Sequence, residues 1–393
     1  MKILGIVAEY NPFHSGHLSH IARSKEISGA DAVVVVMSGN FVQRGEPAIA
    51  DKWRRARSAL DAGVDLIIEL PLSIATASAG YFAQGAVALL DKTGIVDCIC
   101  FGSECGDLRI LEECAKTLLS EGDDFKNHMR EHLDAGLSFP SARDLATKNL
   151  AARDLATKNL AARDLATKNL ATKNLAAKEP NFGVSLPNTP NDVLGVEYIK
   201  ALMELSSDIE PFAVLRSPGS AKEIRDAIKA NEYSQNRAVR IADLDNLSSV
   251  FHFILLTHTN LKSILDVSEG IDNLLGKYAR ENFLISDIIA AAKTKRYTYL
   301  RLQRVVLHMI LGITEVQELQ YIRILGFRKK SERILRMLEA NAKLPVVMNL
   351  KYAKLSPSAS QMLNDEIRAS EVYSLAFSDY VYINEYTMPL IVV

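Results

Sequence analysis

Lys2-Ile3-Leu4-Gly5-Ile6-Val7-Ala8-Glu9-Tyr10-Asn11-Pro12-Phe13-His14-Ser15-Gly16-His17 decides how the chain is read. Ile3 to Ala8 is an apolar run of strand length, stopped by Asn11-Pro12, which cannot continue a ladder. His14-Ser15-Gly16-His17 follows, and Leu18 to Lys25 reads as the start of a helix. A strand, a tight turn and a helix N-terminus in that order bring backbone N–H groups and a positive dipole end to one place. Two imidazoles flanking a glycine there suit an anion that carries phosphates. Gly16 would let a nucleotide approach closely, and His14 and His17 would donate to an α-phosphate whose charge rises during displacement. The plainer reading is that both histidines only cap the helix; their place directly after the first strand favours chemistry.

Outward from that stretch the alternation repeats. Ala32-Val33-Val34-Val35-Val36-Met37 is a β-branched run of the kind buried on both faces of a parallel sheet, ending at Ser38-Gly39-Asn40. Asp51 to Ala62 reads as a helix with a basic cluster, Lys52, Arg54, Arg55 and Arg57, around Trp53, closed by Gly63. Val64 to Leu70 is a third strand stopped by Pro71. Ala75 to Leu90 is a helix rich in small residues, and Ile95 to Phe101 a fourth strand running into Gly102-Ser103-Glu104. This alternation defines an α/β fold with a doubly wound parallel sheet, whose ligands sit beyond the carboxyl ends of the strands. The four strand-ending turns should then surround one pocket.

With 393 residues, 48% hydrophobic and 24% charged, the chain has globular composition and length for two cores. A net charge of −1 excludes a global basic field, so any nucleic-acid contact has to be a local patch. No apolar run approaches the ~20 residues of a membrane span, and polar residues arrive by Glu9, too early for a signal peptide. The expectation is a cytoplasmic protein with no membrane partner. Cys98 and Cys100 alternate within a strand, and with Cys105 and Cys114 they form no zinc-type CxxC pair. They read as buried or idle thiols, and no metal site is expected.

Ala-Arg-Asp-Leu-Ala-Thr-Lys-Asn-Leu-Ala recurs from Ala142, Ala152 and Ala162, with a truncated copy from Ala171. A leucine every fifth residue moves roughly 140° around a helix at each step, so no apolar stripe forms. Residues 142–178 are therefore expected to be an exposed helical or disordered insertion. After it, Leu186-Pro187-Asn188-Thr189-Pro190-Asn191-Asp192 opens a helix from Val196 to Leu205, with Asn191 or Asp192 as candidate N-cap. Phe212 to Arg216 is a short strand, and Ser220-Ala221-Lys222-Glu223-Ile224-Arg225 starts another helix, whose N–H groups and Arg225 could hold phosphates. From Asn231 to about Leu338 the pattern is helical, and basic residues (Lys295, Arg296, Arg323, Arg328, Lys329 and Lys330 among them) are interleaved with Tyr297, Tyr299, Tyr321 and Phe327. Solvated helix faces account for many such charges; their clustering with aromatics favours an RNA-binding surface. Two domains are expected, 1–230 and a mainly helical 231–393.

Asn11-Pro12-Phe13-His14-Ser15-Gly16-His17 after a hydrophobic first strand resembles the HxGH signature of the nucleotidyltransferase superfamily, with its Rossmann-like fold. Together with Met37-Ser38-Gly39-Asn40-Phe41-Val42-Gln43-Arg44-Gly45-Glu46-Pro47 it closely resembles the bacterial tRNA(Met) cytidine acetate ligases. The resemblance runs over most of the chain and is densest before Asp107. It implies an enzyme that uses ATP, with Mg²⁺, and acetate to form acetyl-AMP, then acetylates N4 of the wobble cytidine of elongator methionine tRNA. It also implies His14 and His17 as catalytic residues. ATP would lie against Val7, Ala8, Glu9, Tyr10, Asn11, Pro12, Phe13, His14, Ser15, Gly16, His17, Leu18, Ser19 and His20, with Gly102, Asn191, Arg216, Ser220 and Arg225 completing its site. Asn40 and Arg44, with Glu9 and Glu46, would shape the acetate or cytidine pocket; Lys295, Arg296, Arg328, Lys329 and Lys330 would meet tRNA. Two departures stand out: Lys222 replaces the usual threonine of the phosphate motif, and the loop from Arg216 to Ser220 is short. The alternative is a small-molecule nucleotidyltransferase, which shares the HxGH chemistry but has no need of a basic helical region.

Overall fold

Residues 1–119, 123–135, 142, 145–146, 189–216, 223–228 and 241–393 are described by the computed structural model. Ser220, Lys222 and all of the 142–178 repeat except Ala142, Leu145 and Ala146 lie outside them.

In chain order the first part runs β1 (Ile3–Ala8), α1 (Ser15–Ser28), β2 (Ala32–Ser38), β3 (Phe41–Val42), β4 (Glu46–Pro47), α2 (Lys52–Asp61), β5 (Leu66–Leu70), α3 (Leu72–Ala75), α4 (Ala79–Thr93), β6 (Cys98–Ser103), α5 (Leu108–Leu119) and α6 (Asp123–Asp134). After the undescribed segment come α7 (Pro190–Glu204), β7 (Glu210–Leu215) and a short helical stretch at 223–228. Parallel pairing orders these strands β5-β2-β1-β6-β7. The order reverses between β1 and β6, and that switch point opens a crevice outside the carboxyl ends of the two strands. β2 shows why the sequence builds a two-faced sheet: Val33, Val35 and Met37 enter the core under α1 and α2, while Val34 and Val36 enter the core under α4, α5 and α7.

The second part is mainly helical: α8 (Ser248–Thr257), α9 (Ile271–Ala279), α10 (Ile285–Ala292), α11 (Tyr299–Leu311), then β8 (Ile322–Phe327), α12 (Glu332–Asn341), β9 (Val346–Val347), α13 (Pro357–Ser374) and β10 (Ile391–Val392). One expectation is corrected here. The helical reading to Leu338 fails at Ile322–Phe327, which is a strand, antiparallel to β5, with β10 parallel to it at the sheet edge. A six-residue apolar run interrupted by Arg323 cannot be told from a helix turn by periodicity alone. Arg323 is also not a solvent-facing cation: it is 6% exposed. It completes a buried square of charge. Lys52 Nζ lies 2.6 Å from Glu69 and 2.6 Å from Glu385, and Arg323 reaches the same two carboxylates at 3.0 and 2.5 Å. Two cations and two anions share every face of the square, so none is left uncompensated in a dry interior. The ion pairs tie the end of β5 to α2, β8 and the C-terminal tail.

Candidate active site

His14 is the N-cap of α1, and its Nδ1 accepts the Gly16 N–H at 3.0 Å. His17, three residues on, accepts the His14 N–H at its own Nδ1, 3.2 Å away. The two rings lie 3.8 Å apart between centroids. The capping reading and the chemical reading of these histidines are therefore not alternatives. Because each Nδ1 is an acceptor, each neutral ring carries its proton on Nε2, so the cap fixes the tautomer and leaves Nε2–H as the outward donor. His14 Nε2 is buried and without a hydrogen-bond partner. Burial, with the Arg216 charge nearby, holds the His14 pKa below the usual imidazole value. Burial and the neighbouring His14, His20 and Arg216 push His17 down to about 3. Burial and Arg23 take His20 to about 4. The site is a neutral donor pair poised for an anion.

Gly16 has a structural reason as well. A Cβ there would meet His14 Cε1 at 2.8 Å, so glycine admits the capping ring itself. Before the turn, Tyr10 packs edge-on against His17 at 4.9 Å and against Phe13 at 4.9 Å. Val7 and Ala8 end β1, while Pro12, Ser15, Leu18 and Ser19 carry the turn and the first turns of α1.

Across the switch point, Gly102 and Ser103 end β6. A Cβ on Gly102 would come no closer than 4.0 Å to His20. Thr189 caps α7, in place of the expected Asn191 or Asp192. Asp192 instead braces the β6 turn: it accepts Ser103 Oγ at 2.5 Å, Glu104 N at 2.9 Å and Thr189 Oγ1 at 2.6 Å. Burial alone would raise its pKa, but the Ser103 and Thr189 hydrogen bonds outweigh it and keep the carboxylate ionised. Asn191 Nδ2 donates to Glu104 Oε1 at 2.5 Å, and Arg216 lies 3.5 Å from the same oxygen. Glu104 thus gathers Asn191 and Arg216 beside the histidines. The sequence put Glu104 in a strand-ending turn at the pocket but gave no sign of its role, because its partners lie about 90 to 110 residues downstream.

On the other side of β1, Glu9 Oε1 accepts the Gln43 N–H at 2.9 Å, and burial raises the pKa of its carboxyl. Arg225 donates to Asn11 O at 3.0 Å and lies 3.7 Å from Glu46. Arg44 shares the β3–β4 turn, whose Gly45 (φ 81°) packs so tightly on the backbone of α11 that a Cβ would meet Arg304 N at 2.6 Å. Asn40 is buried and engaged at both ends, accepting Lys52 N and donating to Ser370 Oγ. Those two bonds position the turn. Arg55, read as one of a basic cluster, is also buried. It donates to the Glu9, Ser38, Gly39 and Ala50 carbonyls, tying together the ends of β1 and β2.

The remaining candidates are not brought to this crevice. Lys295 is exposed just before α11, and Arg296 there pairs with Glu269 at 2.6 Å. Arg328, Lys329 and Lys330 follow β8, which runs antiparallel, so they lie at the amino ends of the parallel strands, the opposite edge from His14. Cys98, Cys100 and Cys114 are buried free thiols, and Cys105 is exposed. Among the described residues no group of three or more His, Cys, Asp or Glu could hold a metal ion, and no helix is long and apolar enough to cross a membrane.

A doubly wound sheet with tautomer-locked histidines at its switch point is the nucleotidyltransferase arrangement, and a family model described as HIGH Nucleotidyl Transferase matches residues 1–240 and 220–386. The tRNA(Met) cytidine acetate ligase of Caldanaerobacter subterraneus subsp. tengcongensis is 37% identical, over 97% of this chain and 96% of the relative. That of Clostridium perfringens is 36% identical over 95% of each. The crystal structure of Thermotoga maritima TmcAL bound with alpha-thio ATP superposes with a TM-score of 0.85, at 31% identity and full coverage of both chains. The chain belongs to the tRNA(Met) cytidine acetate ligase family.

Proposed function

We propose that the chain activates acetate with ATP and transfers the acetyl group to N4 of the wobble cytidine of elongator methionine tRNA. The observation that carries the chemistry is the His14–His17 pair, capped through Nδ1 and donating through Nε2 at the switch point. Family membership supplies the acceptor and carboxylate. A tRNA acceptor places the work in the cytoplasm.

In the first half-reaction an acetate oxygen attacks the α-phosphorus of ATP in line. The bond to the β-phosphate oxygen breaks, giving acetyl-AMP and pyrophosphate. Negative charge builds on the non-bridging α-oxygens, where the two Nε2–H donors stabilise it without reorganising. Gly102, Asn191 and Arg216 line the nucleotide side. Arg225, at the opposite side of the turn, meets the departing pyrophosphate. In the second half-reaction the cytidine amine attacks the acetyl carbonyl, the C–O bond to AMP breaks, and a proton leaves the nitrogen. Glu9, Arg44 and Glu46 face this acceptor side. Mg²⁺ would arrive on the triphosphate, held by its oxygens and by water; no protein cluster for it is present among the described residues.

Pyrophosphate exchange into ATP, with and without acetate, tests the reading. Acetate-dependent exchange that His14→Ala abolishes, and acetyl transfer to methionine tRNA, are expected. Exchange that ignores acetate but responds to a phosphorylated metabolite would replace the ligase by a small-molecule nucleotidyltransferase.

A further inference from the structure

The turn after β6 and the first turn of α7 are locked to each other in both directions. Glu104 N–H donates to Asp192 Oδ1 at 2.9 Å, and Asp192 N–H donates back to Glu104 Oε2 at 3.1 Å. The other carboxylate oxygen, Oε1, takes Asn191 Nδ2 at 2.5 Å and lies 3.5 Å from Arg216. Donors from α7 and from the end of β7 thus converge on one carboxylate. The cluster stands on the β6 wall of the crevice. Arg216 is close enough to depress the pKa of both His14 and His17, Gly102 faces His20, and Arg23 of α1 donates to Leu215 O at 2.7 Å. The turn itself is already fixed without the Glu104 side chain, because Asp192 accepts Ser103 Oγ, Glu104 N and Cys105 N. A purely architectural task would leave the Glu104 carboxylate redundant.

What the carboxylate does fix is the direction of an amide. A carboxylate only accepts, so Asn191 turns Nδ2 toward Glu104 and its carbonyl oxygen, Oδ1, away from it. The Asn191 side chain is part-exposed, and its Oδ1 accepts from no group among the described residues. Holding an amide in one orientation matters only to a ligand group that cannot adapt. Ribose hydroxyls both donate and accept, so either amide atom serves them; the exocyclic amine of a base only donates. We propose that Glu104 is a positioning residue that presents Asn191 Oδ1 as an acceptor to the 6-amino group of adenine, so that the site distinguishes ATP from a 6-oxo purine nucleotide. This rests on the reading that ATP lies on the β6 wall, with the cytidine entering from the Glu9 side of β1.

The test is titration calorimetry of the full chain with MgATP and with MgITP, in the absence of acetate and tRNA. ITP keeps the ribose and triphosphate but carries a 6-oxo acceptor in place of the amine. Wild type is compared with E104Q, N191A and E104Q/N191A. Wild type is expected to bind ATP about tenfold or more tighter than ITP, since with ITP two acceptors would face each other. Glutamine at position 104 is isosteric and offers Asn191 either a donor or an acceptor. The amide is then free to turn over, and the ATP-to-ITP ratio should fall about fivefold or more. N191A should remove the same discrimination, and E104Q should change it no further in that background, as for two groups that act as one. An E104Q protein that weakens both nucleotides equally and keeps the wild-type ratio overturns the proposal, as does a wild type that binds ATP and ITP alike. Acetate-dependent pyrophosphate exchange is read separately. Its absence from a wild type that shows the expected binding ratios counts against the proposed function alone.

Discussion

His14 and His17 do two jobs with different atoms of one ring, and each job can be removed separately. Alanine at either position deletes an Nε2–H donor, and the acetate-dependent exchange rate should fall about 10²- to 10³-fold, the usual cost of losing one such donor. Gly16→Ala removes no functional group but sets a methyl 2.8 Å from His14 Cε1, so it should lower the same rate by displacing the ring. The histidines also set a pH dependence. His17 at about 3 and His20 at about 4 lie below the ~6.5 of a free imidazole. The unfolded chain therefore binds more protons than the folded one between those limits, and stability is lost as pH falls from about 6.5 toward 4. Urea unfolding at pH 7 and pH 5 should show that loss in the wild type and less of it in H17Q/H20Q. The HxGH residues were legible in the sequence because motif, turn and helix start are contiguous. The roles of Glu104 and Asp192 were not, because their work depends on partners that only the fold brings near.

At the scale of elements, the buried square of Lys52, Glu69, Arg323 and Glu385 has the largest energetic stake. Lys52→Met leaves two carboxylates facing one guanidinium in a dry interior and should destabilise by about 3–5 kcal/mol, read as a drop in the thermal midpoint. Beside the square, Glu366 is held up at about 8 by burial and by the charge on Glu69, although Leu72 N–H donates to it. Its folded pKa lies above the unfolded one, so its contribution is full at low pH and is lost as pH rises through about 8. Glu366→Gln should leave stability near wild type at about pH 4 and exceed it by a growing margin as pH rises to about 8. β1 and the valine run of β2 could be read directly, since uninterrupted apolar runs with turn residues at both ends have one reading. β8 could not, because the residue that broke its pattern, Arg323, is neutralised by carboxylates at positions 69 and 385.

Across the whole molecule, the expected division at residue 230 does not coincide with the sheet. β8 and β10, from the mainly helical second part, extend the parallel strands of the first. A chain ending at residue 230 would expose the edge of β5 and leave Glu69 and Lys52 without half of their counter-charges. It should fail to form a cooperative unit, seen as loss of a sharp thermal transition. The architecture was legible as far as the strands that alternate with helices; the strands that return from the far end of the chain carry no local mark of their partner.

The charge square also has a consequence for synthesis. Lys52 is translated early, but Glu385, one of its two counter-ions, is more than 330 residues away in the chain. At roughly 5–20 residues per second the first strands must wait on the order of half a minute on the ribosome before that core can become neutral. During that interval the nascent protein exposes an unfinished sheet edge, so chaperone occupancy should persist until the tail emerges. A transcript broken anywhere before codon 385 yields a product that cannot close its core and falls to proteolysis.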